Sequence, residues 1–133
     1  MRMARNPELI AKLHGLRVLV VEDEFLAAKS LETSLQSMGC EVVGPASSVD
    51  EALQLIKREE IDAAILDINL SPGTSEPVAR SLRYLNRPFV FITGYSNIGI
   101  LPDDLRGYVI LTKPTDPISL ASAVGQLAEY ARA

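Results

Sequence analysis

Short apolar runs rich in β-branched residues alternate along this chain with segments whose apolar residues recur every three or four positions. The runs are "LRVLVV" at 16–21, "CEVVG" at 40–44, "IDAAILDI" at 61–68, "PFVFIT" at 88–93 and "YVILT" at 108–112. Runs of that length and make-up predict strands buried on both faces. Between them, "FLAAKSLETSLQSM" carries Leu31, Leu35 and Met38 at helical spacing, and Gly39 follows where a helix-ending glycine belongs. In "SVDEALQLIKREE", Ser48 and Glu51 have capping-box spacing, and Ala52, Leu53 and Ile56 form an apolar stripe. "SEPVARSLRYL" places Val78, Leu82 and Leu85 on one side, and in "PISLASAVGQLAEYARA" the preceding Asp116 is a good N-cap with Pro117 in the first helical turn.

Such alternation implies a parallel sheet covered by helices on both faces. Five strands with right-handed crossovers give an α/β, doubly wound, flavodoxin-like sheet of order 2-1-3-4-5. A chain of 133 residues suits one domain and buries a full core without disulfides or structural metal. The single cysteine, Cys40, leaves no disulfide framework or thiolate metal site and reads as a small buried apolar residue. With a net charge of −4 and no basic stretch, nucleic-acid binding is not expected. The start, "MRMARNPELIAKLHG", is not a secretory signal, and no run of about 18 apolar residues exists to span a membrane.

One strand ends in an unusual way. In "AAILDINLSPG" the third run stops on Asp67, and a turn-forming Ser-Pro-Gly follows. An ionised carboxylate is costly to desolvate, so its place at the end of a buried strand asks for a reason. Open parallel sheets bind ligands beyond the carboxyl ends of their strands, at the switch point between first and third. At that edge the first strand ends in Glu22-Asp23-Glu24, the third in Asp67, the fourth in Thr93 and the fifth in Lys113-Pro114. Clustered carboxylates raise one another's pKa values, and a divalent cation offsets that cost. Oxygen ligands without Cys or His favour Mg²⁺, with Mn²⁺ as a substitute. Taken singly, Glu22 and Asp23 also read as loop or cap residues, and Asp67 as a strand-end acid paired with Lys113. Four strand ends supplying polar groups together point to a site.

In their order, "VLVVEDE", "AAILDINL", "FVFITG" and "LTKP" resemble the conserved blocks of the response regulator receiver domain of two-component signalling, over about residues 16–130. The resemblance implies a CheY-like fold in which Asp67 is the phosphoacceptor, taking a phosphoryl group from a phosphohistidine of a histidine kinase or histidine phosphotransfer protein. Asp23 would bind Mg²⁺ directly, Glu22 through water, and Asn69 through its backbone carbonyl. Thr93 and Lys113 would contact the phosphoryl oxygens, and Pro114 would follow Lys113 in a cis-like turn. The protein would be no enzyme beyond catalysing its own phosphorylation and slow dephosphorylation, and would act in a bacterial cytoplasm.

The chain departs from the family between Thr93 and Lys113. Gly94, Gly99, Pro102 and Gly107 interrupt the fourth helix, which is expected to be missing or reduced to a short turn at 103–106. "FITGY" resembles the signature of the FAT GUY receivers, a subgroup linked to alphaproteobacterial stress signalling, with Ile92 in place of alanine. Ile110 occupies the position of the usual switch aromatic; Tyr95 and Tyr108 are substitutes for it or simply packing residues. Tyr95, two residues after Thr93, is expected to slow hydrolysis of the acyl phosphate. Residues 1–15 exceed what the fold needs. Asn6 suits the cap of a short helix over 7–14, read either as a packed or frayed extension or as a homodimer or kinase-docking element. His14 reads as solvated or packed.

The receiver reading makes the chain a stand-alone protein signalling by contact with an unknown downstream protein, or a receiver cut from a larger one. The alternative is a pseudo-receiver that binds partners without phosphorylation. A flavodoxin-like enzyme is disfavoured. No Gly-rich dinucleotide loop follows the first strand, and the haloacid-dehalogenase phosphatases want a second Asp where Asn69 stands.

Overall fold

The computed structural model describes residues 7–94 and 100–132. The chain runs through α1 (Pro7–Leu13), β1 (Arg17–Val21), α2 (Phe25–Ser37), β2 (Glu41–Ala46), α3 (Val49–Arg58), β3 (Ala63–Asp67), β4 (Asn69–Leu70), β5 (Gly73–Thr74), α4 (Glu76–Tyr84), β6 (Phe89–Thr93), β7 (Ile110–Thr112) and α5 (Pro117–Ala131). Five strands form a parallel sheet of order β2-β1-β3-β6-β7. This is the expected 2-1-3-4-5 order, because β4 and β5 pair only with each other. That two-stranded hairpin was not foreseen; four residues around Ser-Pro are too short to show strand periodicity.

Side-chain alternation divides the core in two. Val18 and Val20 of β1, Ile65 of β3 and Ile92 of β6 pack with Leu31 and Leu35 of α2 and Leu120, Val124 and Leu127 of α5. Leu19 and Val21, Leu66 and Phe91 face the other way, against Ala52 of α3 and Val78 and Leu82 of α4. Cys40 is buried in the first cluster, as expected.

The helix starts follow the sequence. Ser48 Oγ accepts the Glu51 N–H at 3.1 Å, and Asp116 Oδ1 accepts the Ser119 N–H at 2.8 Å. Both bonds satisfy donors that a helix N-terminus leaves open.

Helix α1 packs on α5. Leu13 is fully buried, and a Cβ on Gly125 of α5 would stand 3.0 Å from Leu9 Cδ1. The Arg132 guanidinium donates to the His14 carbonyl at 3.0 Å, while His14 itself is exposed. Residues 7–13 form the short helix, packed on α5; Asn6 lies outside the described residues.

Among the described residues, the link between β6 and β7 holds no α-helix; a 3-10 turn spans Asp103–Leu105. Leu101 and Leu105 sink into the second cluster and fasten this link to the sheet. The Asp104 carboxylate accepts from Arg80 at 3.0 Å and from Arg83 at 2.9 Å, tying the turn to α4. These hydrogen bonds hold its carboxyl at about 2, below the usual carboxylate range. Tyr108 stacks on Phe89 with ring centroids 4.3 Å apart, which gives it a packing role. Tyr95 lies outside the described residues.

Candidate functional site

Parallel register brings the strand ends into line. Val21 pairs with Leu66, Asp67 with Ile92 and Thr93 with Thr112. The residues just beyond, Glu22 and Lys113, therefore arrive beside Asp67 although they lie far apart in sequence. All five residues of β3 are buried, so Asp67 stands on a firm central strand with its side chain only 4% exposed.

Lys113 is the electrostatic centre. Its ammonium donates to Asp67 Oδ2 at 2.9 Å, Glu22 Oε1 at 2.9 Å and Glu24 Oε1 at 3.0 Å. An ammonium group has three N–H donors, and these three bonds use them all. Burial pushes the Lys113 pKa down, but the hydrogen bonds to Asp67, Glu22 and Glu24 outweigh it and hold the amine protonated. The backbone N–H of Lys113 donates to the Thr93 carbonyl at 2.8 Å, and the Lys113–Pro114 peptide is cis.

Glu22 is the strained member. Burial above all, and the neighbouring Asp67, hold its carboxyl up at about 7 against the downward pull of Lys113. Its Oε1 also accepts the Glu24 N–H at 3.1 Å. Its Oε2 lies 2.9 Å from the ammonium but outside hydrogen-bonding geometry, so this buried oxygen has no donor. Asp67 Oδ1 accepts the Asn69 N–H at 3.3 Å.

The donor set suits a hard divalent cation. Among the described residues, carboxylate oxygens of Glu22, Glu24 and Asp67 lie within 4.8 Å of one another, and the buried Glu22 Oε2 is an acceptor without a hydrogen bond. Of the expected set Glu22, Asp23, Asp67 and Asn69, the structure gathers Glu22 and Asp67 in this group. Asp23 and Asn69 line the same cleft of about 440 Å³, with Glu24, Gly94 and Lys113. Asp23 is exposed, and its Oδ2 accepts the Ser71 N–H at 3.2 Å. Thr93 is buried beyond Asp67 at the end of β6.

Glu24 is the residue that sequence reasoning passed over. It was legible only as one of three adjacent acids. What singles it out is its reach to a lysine 89 positions away. In a chain that starts α2 without a Ser, Thr, Asp or Asn cap, its side chain makes no cap hydrogen bond. No helix among the described residues is long and apolar enough to cross a membrane.

Comparison with known proteins gives the same fold. Residues 18–125 match the family model of the response regulator receiver domain. The sensory transduction protein LytT of Bacillus anthracis is 32% identical over 104 residues, 76% of this chain and 42% of LytT. The chain thus spans less than half the length of that curated relative. The solution structure of SdrG from Sphingomonas melonis Fr1 superposes with a TM-score of 0.75 at 38% identity, covering 86% of this chain and 97% of SdrG. The crystal structure of the response regulator PhyR from Brucella abortus superposes at 0.79 with 29% identity, covering 97% of this chain and 54% of PhyR.

Proposed function

The chain belongs to the response regulator receiver family, and from that premise we propose that it accepts a phosphoryl group on Asp67 from a phosphohistidine of a histidine kinase or histidine phosphotransfer protein. The observation that carries this reading is the buried Asp67 carboxylate at the end of the central strand, held 2.9 Å from Lys113 and flanked by acids from the end of β1. An Asp67 oxygen attacks phosphorus in line. A P–O bond forms as the P–N bond breaks, and the electron pair of that bond returns to the imidazole nitrogen. A carboxylate nucleophile has no proton to give up before it attacks, so the transfer needs no general base on the protein. Lys113 and Thr93 hold the equatorial oxygens, where charge accumulates in the transition state.

Glu22, Asp23, Asp67 and the Asn69 carbonyl would hold Mg²⁺, or Mn²⁺ in its place. When bound, the ion supplies positive charge that offsets the acids and the phosphoryl oxygens. A structural neighbour supports this reading. SdrG has also been solved in a BeF3-activated conformation, and beryllium trifluoride has the shape and charge of a phosphoryl group. The signal then passes by protein contact in a bacterial cytoplasm. "FITGY" and the lack of an α-helix among the described residues between β6 and β7 support a reading of the chain as a member of the FAT GUY subgroup.

The test is intact mass after incubation with acetyl phosphate and Mg²⁺, beside Asp67→Asn and a metal-free control. A single phosphoryl adduct that needs both Asp67 and the metal is the expected result. A folded protein that binds Mg²⁺ but gains no adduct, either from acetyl phosphate or from a phosphorylated kinase, would favour the pseudo-receiver.

A further inference from the structure

The three acceptors around Lys113 are not equivalent. Asp67 is the group that reacts. The Glu22 side chain has no exposed surface, and its backbone is anchored by the Glu22 N–H bond to the Ala46 carbonyl at 2.9 Å. Glu24 differs from both. Its side chain is 69% exposed, and it is bound to nothing in the helix it precedes. Its hydrogen bond to Lys113 is thus the one that water can replace at little cost.

A saturated ammonium cannot grip a further oxygen. With Asp67, Glu22 and Glu24 each taking one N–H, a phosphoryl oxygen on Asp67 reaches Lys113 only if one acceptor leaves. Glu22 has nowhere to go. Glu24 stands at the mouth of the cleft that also holds Asp67, Asn69 and Lys113.

We propose that Glu24 is a positioning residue that acts through Lys113, as an exchangeable third acceptor that holds the ammonium in place at rest and yields to the incoming phosphoryl oxygen. The inference rests on the phosphoacceptor reading of Asp67. Glu24 stays outside the bonds that change. With acetyl phosphate as donor, Asp67 gains the phosphoryl group and acetate leaves with the electron pair of the broken P–O bond. Because Glu24 is negative and must be displaced, it slows acceptance from any anionic donor.

The experiment compares the full chain with Glu24→Gln and Glu24→Ala at saturating Mg²⁺, each variant first titrated with the metal. The rate of adduct formation from acetyl phosphate is expected to rise roughly two- to fivefold in both, the range over which an exposed ion pair biases an equilibrium. A second readout is spectroscopic. The ¹³C carboxyl resonance of Glu24 is expected to move to the value of a free, solvated glutamate when beryllium trifluoride and Mg²⁺ are added to the parent protein. Unchanged or slower rates in both variants, or a Glu24 resonance that stays put on beryllofluoride binding, overturn the proposal while leaving Asp67 as phosphoacceptor. A parent protein that forms no adduct and binds no beryllofluoride overturns both.

Discussion

At the scale of single residues, the site holds more negative charge than one lysine comfortably balances. Glu22 bears the cost, because it is buried and faces another carboxylate. A neutral side chain of the same shape relieves it. Glu22→Gln is therefore expected to raise the melting temperature in chelator by several degrees, since uncompensated buried charge is destabilising. The same change should shrink the further rise that millimolar Mg²⁺ gives the parent, because a ligand stabilises by binding only the folded form. Thermal denaturation of both proteins with and without Mg²⁺ checks this; a lower melting point for the variant in chelator would contradict it. The site was legible in the sequence to the extent that each residue closes a strand: Asp67, Thr93 and Lys113 are last in or next after an apolar run. Glu24 was not legible in that way. Its importance comes from side-chain reach across the sheet edge, and no spacing along the chain encodes that.

At the scale of elements, two attachments distinguish the chain from a bare five-stranded sheet. The first is α1, whose Leu13 is fully buried while Ile10 is 41% exposed. Leu13→Ala is expected to cost about 3 kcal/mol, the usual range for emptying a filled core position, whereas Ile10→Ala should cost well under half as much. Urea denaturation of the two variants measures both. Equal effects would mean that the helix is not seated as described. The second attachment is the 3-10 turn clamped by Asp104 to Arg80 and Arg83. The Asp104 carboxyl is held at about 2 when folded, below its ordinary 3.8. A depressed folded pKa contributes stability above the unfolded value and loses it as pH falls through the folded one. The clamp is thus expected to weaken between about pH 4 and pH 2, and Asp104→Asn should flatten that part of the acid limb. Denaturation curves taken at intervals across that window test it.

The glycines and proline of "TGYSNIGILPDDLRG" break helical periodicity, and the described residues of this link hold no α-helix. The clamp between Asp104 and α4 went unannounced. It depends on α4 and the turn meeting in space, which only the packing of Leu101 and Leu105 arranges. The hairpin of β4 and β5 escaped for another reason, since two-residue strands carry no pattern.

Across the whole molecule, the order of the strands followed from two rules alone, alternation and right-handed crossover, and the meeting of Glu22, Asp67 and Lys113 followed from that order. The extent to which α1 belongs to the body of the protein did not follow, because an amphipathic seven-residue helix reads the same whether seated or loose. The two apolar clusters on opposite faces of the sheet bear on how such a protein tolerates change. Leu13 lies in one cluster and Leu105 in the other, with the sheet between them. Substitutions at positions so separated, with no shared neighbours, combine with little epistasis, within about 0.5 kcal/mol of the sum. Leu101 and Leu105, which share a cluster, should depart further from that sum. The helical face that carries α1 and the face that carries the clamped turn are then free to drift separately over generations. Only the strand ends, where both faces meet the same lysine, must change in concert.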